Sequence, residues 1–224
     1  MSERDPPEGL VPHFARKHLR AGDPTGWFEP VYAAAGEGVT DVPWVDFEPN
    51  RHLRAWLERA GRGGAGRRAV VVGCGTGDDA ELLRERGFET IGFDIAPTAI
   101  AWARRRFPDT EFRVGDLLAL PEDLLGAFDL VFEAYTLQAL PVEIRDPAID
   151  AVASLVAAGG TLLVVTFGRS AEDEPGRLPW PLTREELARF RERGLEERRF
   201  EDYRDDVEPE RRRFRVEYAR SYAG

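Results

Sequence analysis

The stretch Ala69-Val70-Val71-Val72-Gly73-Cys74-Gly75-Thr76-Gly77-Asp78-Asp79 is an apolar, β-branched run followed by three alternating glycines and two acidic residues. Residues 69–72 suit a strand buried on both faces. Glycines at 73, 75 and 77 let the backbone turn tightly and pass close to a ligand. Asp78 to Arg86, with Ala80, Leu82 and Leu83 on one side, reads as a helix closed by Gly87. Strand, glycine turn and helix in this order open a βαβ unit, and with it a parallel sheet.

Working outward from this unit, the same alternation continues. Thr90–Phe93 reads as a second strand, Pro97–Arg106 as a helix opened by proline, Glu111–Val114 as a third strand and Phe128–Phe132 as a fourth. A helix over Pro147–Ala158 and a turn at Gly159-Gly160 lead to a fifth strand, Thr161–Phe167. Thr183-Arg184-Glu185-Glu186 is a capping box that starts a helix ending near Gly194, and Leu195–Tyr203 and Phe214–Tyr218 close the pattern as two further strands. The expected fold class is therefore α/β: a doubly wound, mostly parallel seven-stranded sheet. Residues 1–65 form the amino-terminal part, read as irregular Gly/Pro-rich sequence to Asp46, then a helix from its N-cap Asn50 through Arg59. Residues 66–224 form the core, the two parts making one structural domain.

The composition narrows the function classes. At 224 residues the chain has the length of one α/β domain. No apolar run approaches the roughly 20 residues that span a bilayer, and residues 1–12 carry no apolar signal core, so a cytoplasmic protein is expected. A formal net charge of −10 argues against nucleic acid as a partner. A single cysteine, Cys74, excludes an intramolecular disulfide and a cysteine metal cluster, and no metal is expected. The oligomeric state is open, with a monomer favoured.

Asp94 ends the second strand about 20 residues beyond the glycine turn, where a carboxylate can accept both hydroxyl protons of an adenosine ribose. A tight turn with no ligand is the plain alternative for the glycines alone. NAD is the first ligand to weigh, but Asp78 stands where the dinucleotide pattern wants its third glycine, and Asp79 follows. Two carboxylates in the first helical turn oppose a pyrophosphate there. S-adenosylmethionine has no phosphate and carries ammonium and sulfonium cations, so an acidic rim favours it while its ribose still uses Asp94. Asp78 and Asp79 read equally well as ordinary stabilisers of a helix start, and tell against NAD either way.

Residues 66–218 resemble the class I S-adenosylmethionine-dependent methyltransferases. Val70–Gly77 is similar to the family's glycine motif, Ile91-Gly92-Phe93-Asp94 to its second-strand acidic motif, Gly115-Asp116-Leu117-Leu118 to its adenine-binding turn, and Phe128–Glu133 to its fourth strand and the acidic position after it. Gly159–Leu163 is similar to the turn into its fifth strand. The resemblance implies an enzyme with S-adenosylmethionine as cofactor, a C-terminal antiparallel strand pair, and a cofactor site at Gly73, Cys74, Gly75, Gly77, Asp94, Ile95, Asp116, Leu117 and Glu133. Within that class the chain looks like the thiopurine methyltransferase branch, with its thiol and halide methyltransferase relatives. The residues behind this are Glu133–Leu140, Leu178-Pro179-Trp180-Pro181-Leu182, Gly26-Trp27 and Val42-Pro43-Trp44; the branch usually has Asp where Glu133 stands. By this likeness Trp27 and Trp44 would cover the cofactor as part of a lid, although aromatics in such a segment more often serve only as packing.

Other methyl-transfer chemistries lack their residues. Glu133-Ala134-Tyr135-Thr136 stands in place of the Asn/Asp-Pro-Pro-aromatic loop of enzymes acting on amide or adenine nitrogens, and Cys74 in the glycine turn is not placed as a nucleophile. Thr166-Phe167-Gly168-Arg169 offers no carboxylates for a metal-assisted transfer. Glu133 and Tyr135 are the expected catalytic contacts, at the crevice beyond the fourth strand. The expected reaction is methyl transfer to a small nucleophile, with soft sulfur or halide acceptors ahead of oxygen or nitrogen. The alternative is a non-catalytic S-adenosylmethionine-binding sensor or partner protein.

Overall fold

The computed structural model describes residues 9–36, 42–61 and 63–222. Residues 1–8, 37–41 and 62 of the amino-terminal part lie outside the described residues. Among the described residues three helices precede the first strand: α1 (Leu10–Arg20), α2 (Phe28–Ala35) and α3 (Arg51–Ala60). The core alternates as β1 (Arg68–Val72), α4 (Asp78–Glu85), β2 (Glu89–Asp94), α5 (Pro97–Arg106), β3 (Glu111–Val114), β4 (Phe128–Ala134), α6 (Val142–Ser154) and β5 (Val156–Phe167). It closes with α7 (Arg184–Glu192), β6 (Leu195–Arg204) and β7 (Arg212–Arg220). The seven strands lie in the order β3-β2-β1-β4-β5-β7-β6. Strands β1 to β5 pair in parallel, while β7 pairs antiparallel with both β5 and β6. The order reverses between β2-β1 and β4, which puts a crevice at the carboxyl ends of these strands.

Both faces of the central strand β1 are buried, which is why residues 69–72 are apolar without alternation. Val70 and Val72 join Ile149 and Val152 of α6 and Leu187 and Phe190 of α7 on one face. Ala69 and Val71 join Leu53, Trp56 and Leu57 of α3, Leu83 of α4 and Ile100 of α5 on the other. Asn50 caps α3 as expected, its side chain accepting from His52 N at 2.9 Å, and Thr183 and Glu186 complete the capping box of α7.

Three expectations are corrected. Most of the described residues before Asp46 are helical rather than irregular. Pro12 and Pro30 sit in the first turns of α1 and α2, where a missing N–H costs nothing, so they do not break these helices. Helix α6 starts at Val142, five residues before Pro147, which stands inside it and gives up one backbone hydrogen bond. Strand β5 begins at Val156, with Gly159-Gly160 forming a bulge within it: Phe128 pairs with Val156, but Leu130 already pairs with Thr161.

Helix α2 is tied to the core through α5. Residue Ala96, at the N-cap of α5, has no side chain to accept from that helix's free amides, and Glu29 of α2 does so instead. Its carboxylate accepts from Thr98 N at 2.9 Å and Thr98 Oγ1 at 2.6 Å. Behind this contact Trp27, Val31 and Tyr32 pack with Ala96, Ala99 and Trp102 as a third apolar cluster.

Candidate active site

The glycine turn leaves β1 with Gly73 at φ 60°, a left-handed conformation that L-residues rarely adopt. Sterics also require glycine there: a Cβ on Gly73 would lie 2.3 Å from Thr136 Oγ1. The turn after β4 is therefore packed directly on the glycine turn, and the Thr136 hydroxyl donates to Val72 O at 3.2 Å. Cys74 joins the turn to β2 by donating from its backbone N to Phe93 O at 2.9 Å, and burial holds its thiol well above the ordinary range.

Asp94 sits at the centre of this geometry. Its Oδ2 accepts from Gly75 N and its Oδ1 from Ala96 N, both at 2.9 Å. One carboxylate thus pins the glycine turn and the β2–α5 turn, and each oxygen keeps lone-pair capacity for a further donor. Burial raises its pKa, opposed by those two amides. Ile95 follows it, half-buried, at the same turn. Asp116 caps the short 3-10 turn Leu117–Ala119, accepting from Leu118 N at 2.8 Å, with Leu117 buried behind it.

The two carboxylates after Gly77 diverge. Asp78 is engaged beneath the turn, accepting from Arg106 Nη2 at 2.5 Å and from Thr76 Oγ1 at 2.8 Å. Asp79 accepts from Asn50 N at 2.6 Å and so joins α4 to the start of α3; burial pushes its carboxyl up to about 7.

Glu133, at the end of β4, pairs in register with Val72 and is 0% exposed. Its Oε1 accepts from Thr136 N at 2.8 Å and Leu137 N at 3.0 Å, which holds Thr136 against Gly73. Its Oε2 is buried with no hydrogen-bond partner in the protein, and burial pushes the carboxyl up to about 7. Tyr135 has φ 64°, one of two non-glycine residues with positive φ among those described. Its ring lies on Phe167 with centroids 5.1 Å apart, and its hydroxyl accepts from Arg213 Nε at 3.3 Å.

The two tryptophans differ in setting. Trp27 is 1% exposed, stacks on Phe28 and donates its indole N–H to Pro24 O at 3.1 Å. Trp44 is 40% exposed and donates to the Tyr32 hydroxyl at 2.9 Å. Tyr32 itself reaches the glycine turn: a Cβ on Gly75 would lie 3.1 Å from its hydroxyl. The structure thus brings Gly73, Cys74, Gly75, Gly77, Asp94, Glu133 and Tyr135 to one crevice end, places Asp116 and Leu117 in the turn after β3, and sets Trp27 behind Trp44. Sequence reasoning missed Arg213, which stands last in the run Arg211-Arg212-Arg213 before the Phe214, Val216 and Tyr218 alternation and is not distinguished there from its neighbours.

The sequence model of a family described as a methyltransferase domain matches residues 69–160. The chain is 27% identical over 150 residues to the 2-heptyl-1-hydroxyquinolin-4(1H)-one methyltransferase of Mycobacteroides abscessus, covering 65% of this chain and 64% of that protein. It is 34% identical over 107 residues to the ubiquinone biosynthesis O-methyltransferase of Alkalilimnicola ehrlichii, covering 47% of this chain and 43% of that protein. The chain therefore spans less than two thirds of the length of either relative. In fold it is similar to the Burkholderia thailandensis 1,6-didemethyltoxoflavin-N1-methyltransferase, whose structure holds S-adenosylhomocysteine, with a TM-score of 0.65, 18% identity, and coverage of 97% of this chain and 93% of that one. The match over residues 69–160 bears out the resemblance to a methyltransferase domain in that part of the chain, and the seven-stranded sheet with its antiparallel closing pair bears out the expected fold. Among the described residues no helix is long and apolar enough to cross a membrane.

Proposed function

We propose that the protein binds S-adenosylmethionine across the glycine turn and Asp94 and transfers its methyl group to a small-molecule nucleophile. The observation that carries this reading is the Asp94 carboxylate, buried, fixed by one amide on each oxygen, and still able to accept two hydroxyl protons. The residues present fit the cofactor. Gly73 and Gly75 let Thr136 and Tyr32 close directly onto the glycine turn, Asp116 and Leu117 suit the adenine, and the free Glu133 Oε2 is a buried acceptor beside that turn. Trp44 and Tyr32, with Trp27 behind them, form the cover. When bound, S-adenosylmethionine supplies an electrophilic methyl on a sulfonium.

The protein's own contribution is positional. Asp94 fixes the cofactor end of the crevice, and Glu133 Oε1 sets the post-β4 turn that carries Tyr135. Alignment of acceptor, methyl carbon and sulfur in a dry crevice accounts for up to roughly 7–11 kcal/mol of barrier in well-oriented systems. A carboxyl at about 7 could also hold a proton near neutrality, but both amides on Oε1 favour the anchoring role for Glu133.

Two acceptor classes follow: the motifs around Glu133–Leu140 and Leu178–Leu182 resemble the thiopurine-type branch with its sulfur or halide acceptors, whereas one relative is named for a hydroxyquinolinone and another for O-methyl transfer, which point to oxygen. The acidic net charge of −10 supports a small molecule over nucleic acid. Calorimetry with S-adenosylmethionine, S-adenosylhomocysteine and NAD tests the cofactor assignment. The first two should bind and NAD should not; NAD binding as tightly as S-adenosylhomocysteine would overturn it.

A further inference from the structure

Beyond the post-β4 turn, the crevice end of β5, β6 and β7 carries a compact polar cluster that cofactor binding does not use. Because β7 runs antiparallel, its first residues lie at the carboxyl end of β5, where Arg213 pairs with Phe167. Arg213 is buried; its Nη1 forms an ion pair with Asp205 Oδ2 at 2.9 Å, its Nη2 contacts Glu208, and its Nε donates to the Tyr135 hydroxyl. Phe167 lies beneath, with the Arg211 and Arg213 guanidinium carbons 4.7 and 5.2 Å from its ring centroid.

The strained backbone of Tyr135 gives this cluster its direction. A residue at φ 64° belongs to glycine by preference, so an aromatic side chain there is held against its own conformational bias. The constraints that hold it are visible: Tyr135 N donates to Val165 O at 3.0 Å, the ring rests on Phe167, and Arg213 fixes the hydroxyl. With one lone pair given to Arg213, the hydroxyl keeps its proton to donate, and burial keeps that hydroxyl protonated.

Arginine side chains slightly outnumber carboxylates in this cluster, against the −10 charge of the whole chain. Arg51, Arg211, Arg213 and Arg215 face Asp205, Glu208 and Glu201 across the cluster. His52, from α3, reports the balance: burial, followed by Arg51 and Arg213, holds its imidazole at about 4 in spite of Asp205.

We propose that the Tyr135 hydroxyl, polarised by the buried Arg213, is an oxyanion-binding subsite that receives the acceptor as its conjugate base, and that the acceptor is a planar molecule with an acidic hydroxyl of the phenol or hydroxy-heteroaromatic type. This rests on the methyl-transfer reading above. The Tyr135 ring, backed by Phe167 tilted at 40° to it, supplies an apolar wall for such a molecule, and a donor backed by a cation stabilises the oxygen anion that ionisation leaves. In the transfer, an oxygen lone pair of the anion forms the new O–C bond while the C–S bond pair stays on sulfur. An anion and a cation become a neutral methyl ether and a neutral thioether, and no proton moves in that step. Neither Glu133 nor His52 is then needed as a base.

A phenol whose ionisation shows in its absorbance, 4-nitrophenol, tests the subsite directly. It is titrated with pH in excess wild-type protein, with and without S-adenosylhomocysteine, and again with Tyr135→Phe. Bound to wild type, its acidity should rise about tenfold, one pKa unit, and Tyr135→Phe should cancel at least half of that shift. The same variant should keep wild-type circular dichroism and wild-type affinity for S-adenosylhomocysteine, which separates an oxyanion contact from a structural role. A probe that does not bind, titrates as in free solution, or keeps its full shift in Tyr135→Phe overturns the proposal. Loss of S-adenosylhomocysteine binding in wild type with the probe shift intact counts against the methyl-transfer reading and leaves the subsite standing.

Discussion

Replacing Asp94 by asparagine separates two roles that the structure gives to one carboxylate. Each oxygen accepts one backbone amide, Gly75 N or Ala96 N, at 2.9 Å. Asparagine presents one oxygen and one NH2, so in either orientation one of these buried amides meets a donor. Leaving a buried donor unsatisfied costs about 1–3 kcal/mol, partly offset because the neutral amide escapes the burial cost that raises the Asp94 pKa. The unliganded protein should therefore lose about 1–2 kcal/mol, or roughly 2–8 °C in melting temperature for a chain of this size. Cofactor binding should weaken further, because two ribose hydroxyls then share a single neutral acceptor. A loss of about 1.5–3 kcal/mol corresponds to roughly 10- to 150-fold in Kd. Urea unfolding without ligand reads the first effect, and calorimetry with S-adenosylhomocysteine reads the second. Wild-type stability would refute the bridging role; a Kd within twofold of wild type would refute the ribose assignment.

Gly73→Ala should abolish cofactor binding while the fold survives, because its Cβ would displace Thr136 and with it both turns that meet at the crevice; calorimetry and circular dichroism check this. Glu133 has a folded pKa of about 7 against an ordinary 4.5, so the folded state binds its proton more tightly. The stability this gives is full below about pH 4.5 and is lost as pH rises through about 7, by about 3 kcal/mol at most. Urea unfolding across that range should show the slope shrink in Glu133→Gln, the remainder coming from Asp79 and Asp94, which shift the same way. The same variant should keep kcat within about tenfold, since a general base would cost roughly 10²–10⁴. Glu29→Ala removes the acceptor on Thr98 and should raise hydrogen exchange in α2, with S-adenosylhomocysteine restoring less protection than in wild type. Exchange unchanged in that variant would show that α2 is held by its apolar cluster alone.

The parallel core was legible because its elements obey short-range rules. Four apolar residues before alternating glycines, a proline at the start of α5 and a capping box at α7 each follow from neighbours in sequence. The amino-terminal helices were not, since Pro12 and Pro30 read as breakers until their first-turn positions are known, and α2 gains its stability from Glu29 reaching residue 98. The site divides in the same way. Asp94 follows from its distance along the chain to the glycines. The commitment of Asp78 to Arg106, the two amides on Glu133 Oε1 and the meeting of Tyr135 with Arg213 join residues that only the folded topology brings together.

Transfer of a labelled methyl group from S-adenosylmethionine, followed over many turnovers against a panel of acidic phenols, hydroxy-heteroaromatics, thiols and halides, tests the central claim most directly. The account predicts repeated turnover, fastest on planar acceptors with an acidic hydroxyl, with equimolar release of S-adenosylhomocysteine. Tight binding of S-adenosylmethionine with no methyl transferred to any member of the panel would contradict it, and would assign the chain to cofactor sensing in place of catalysis.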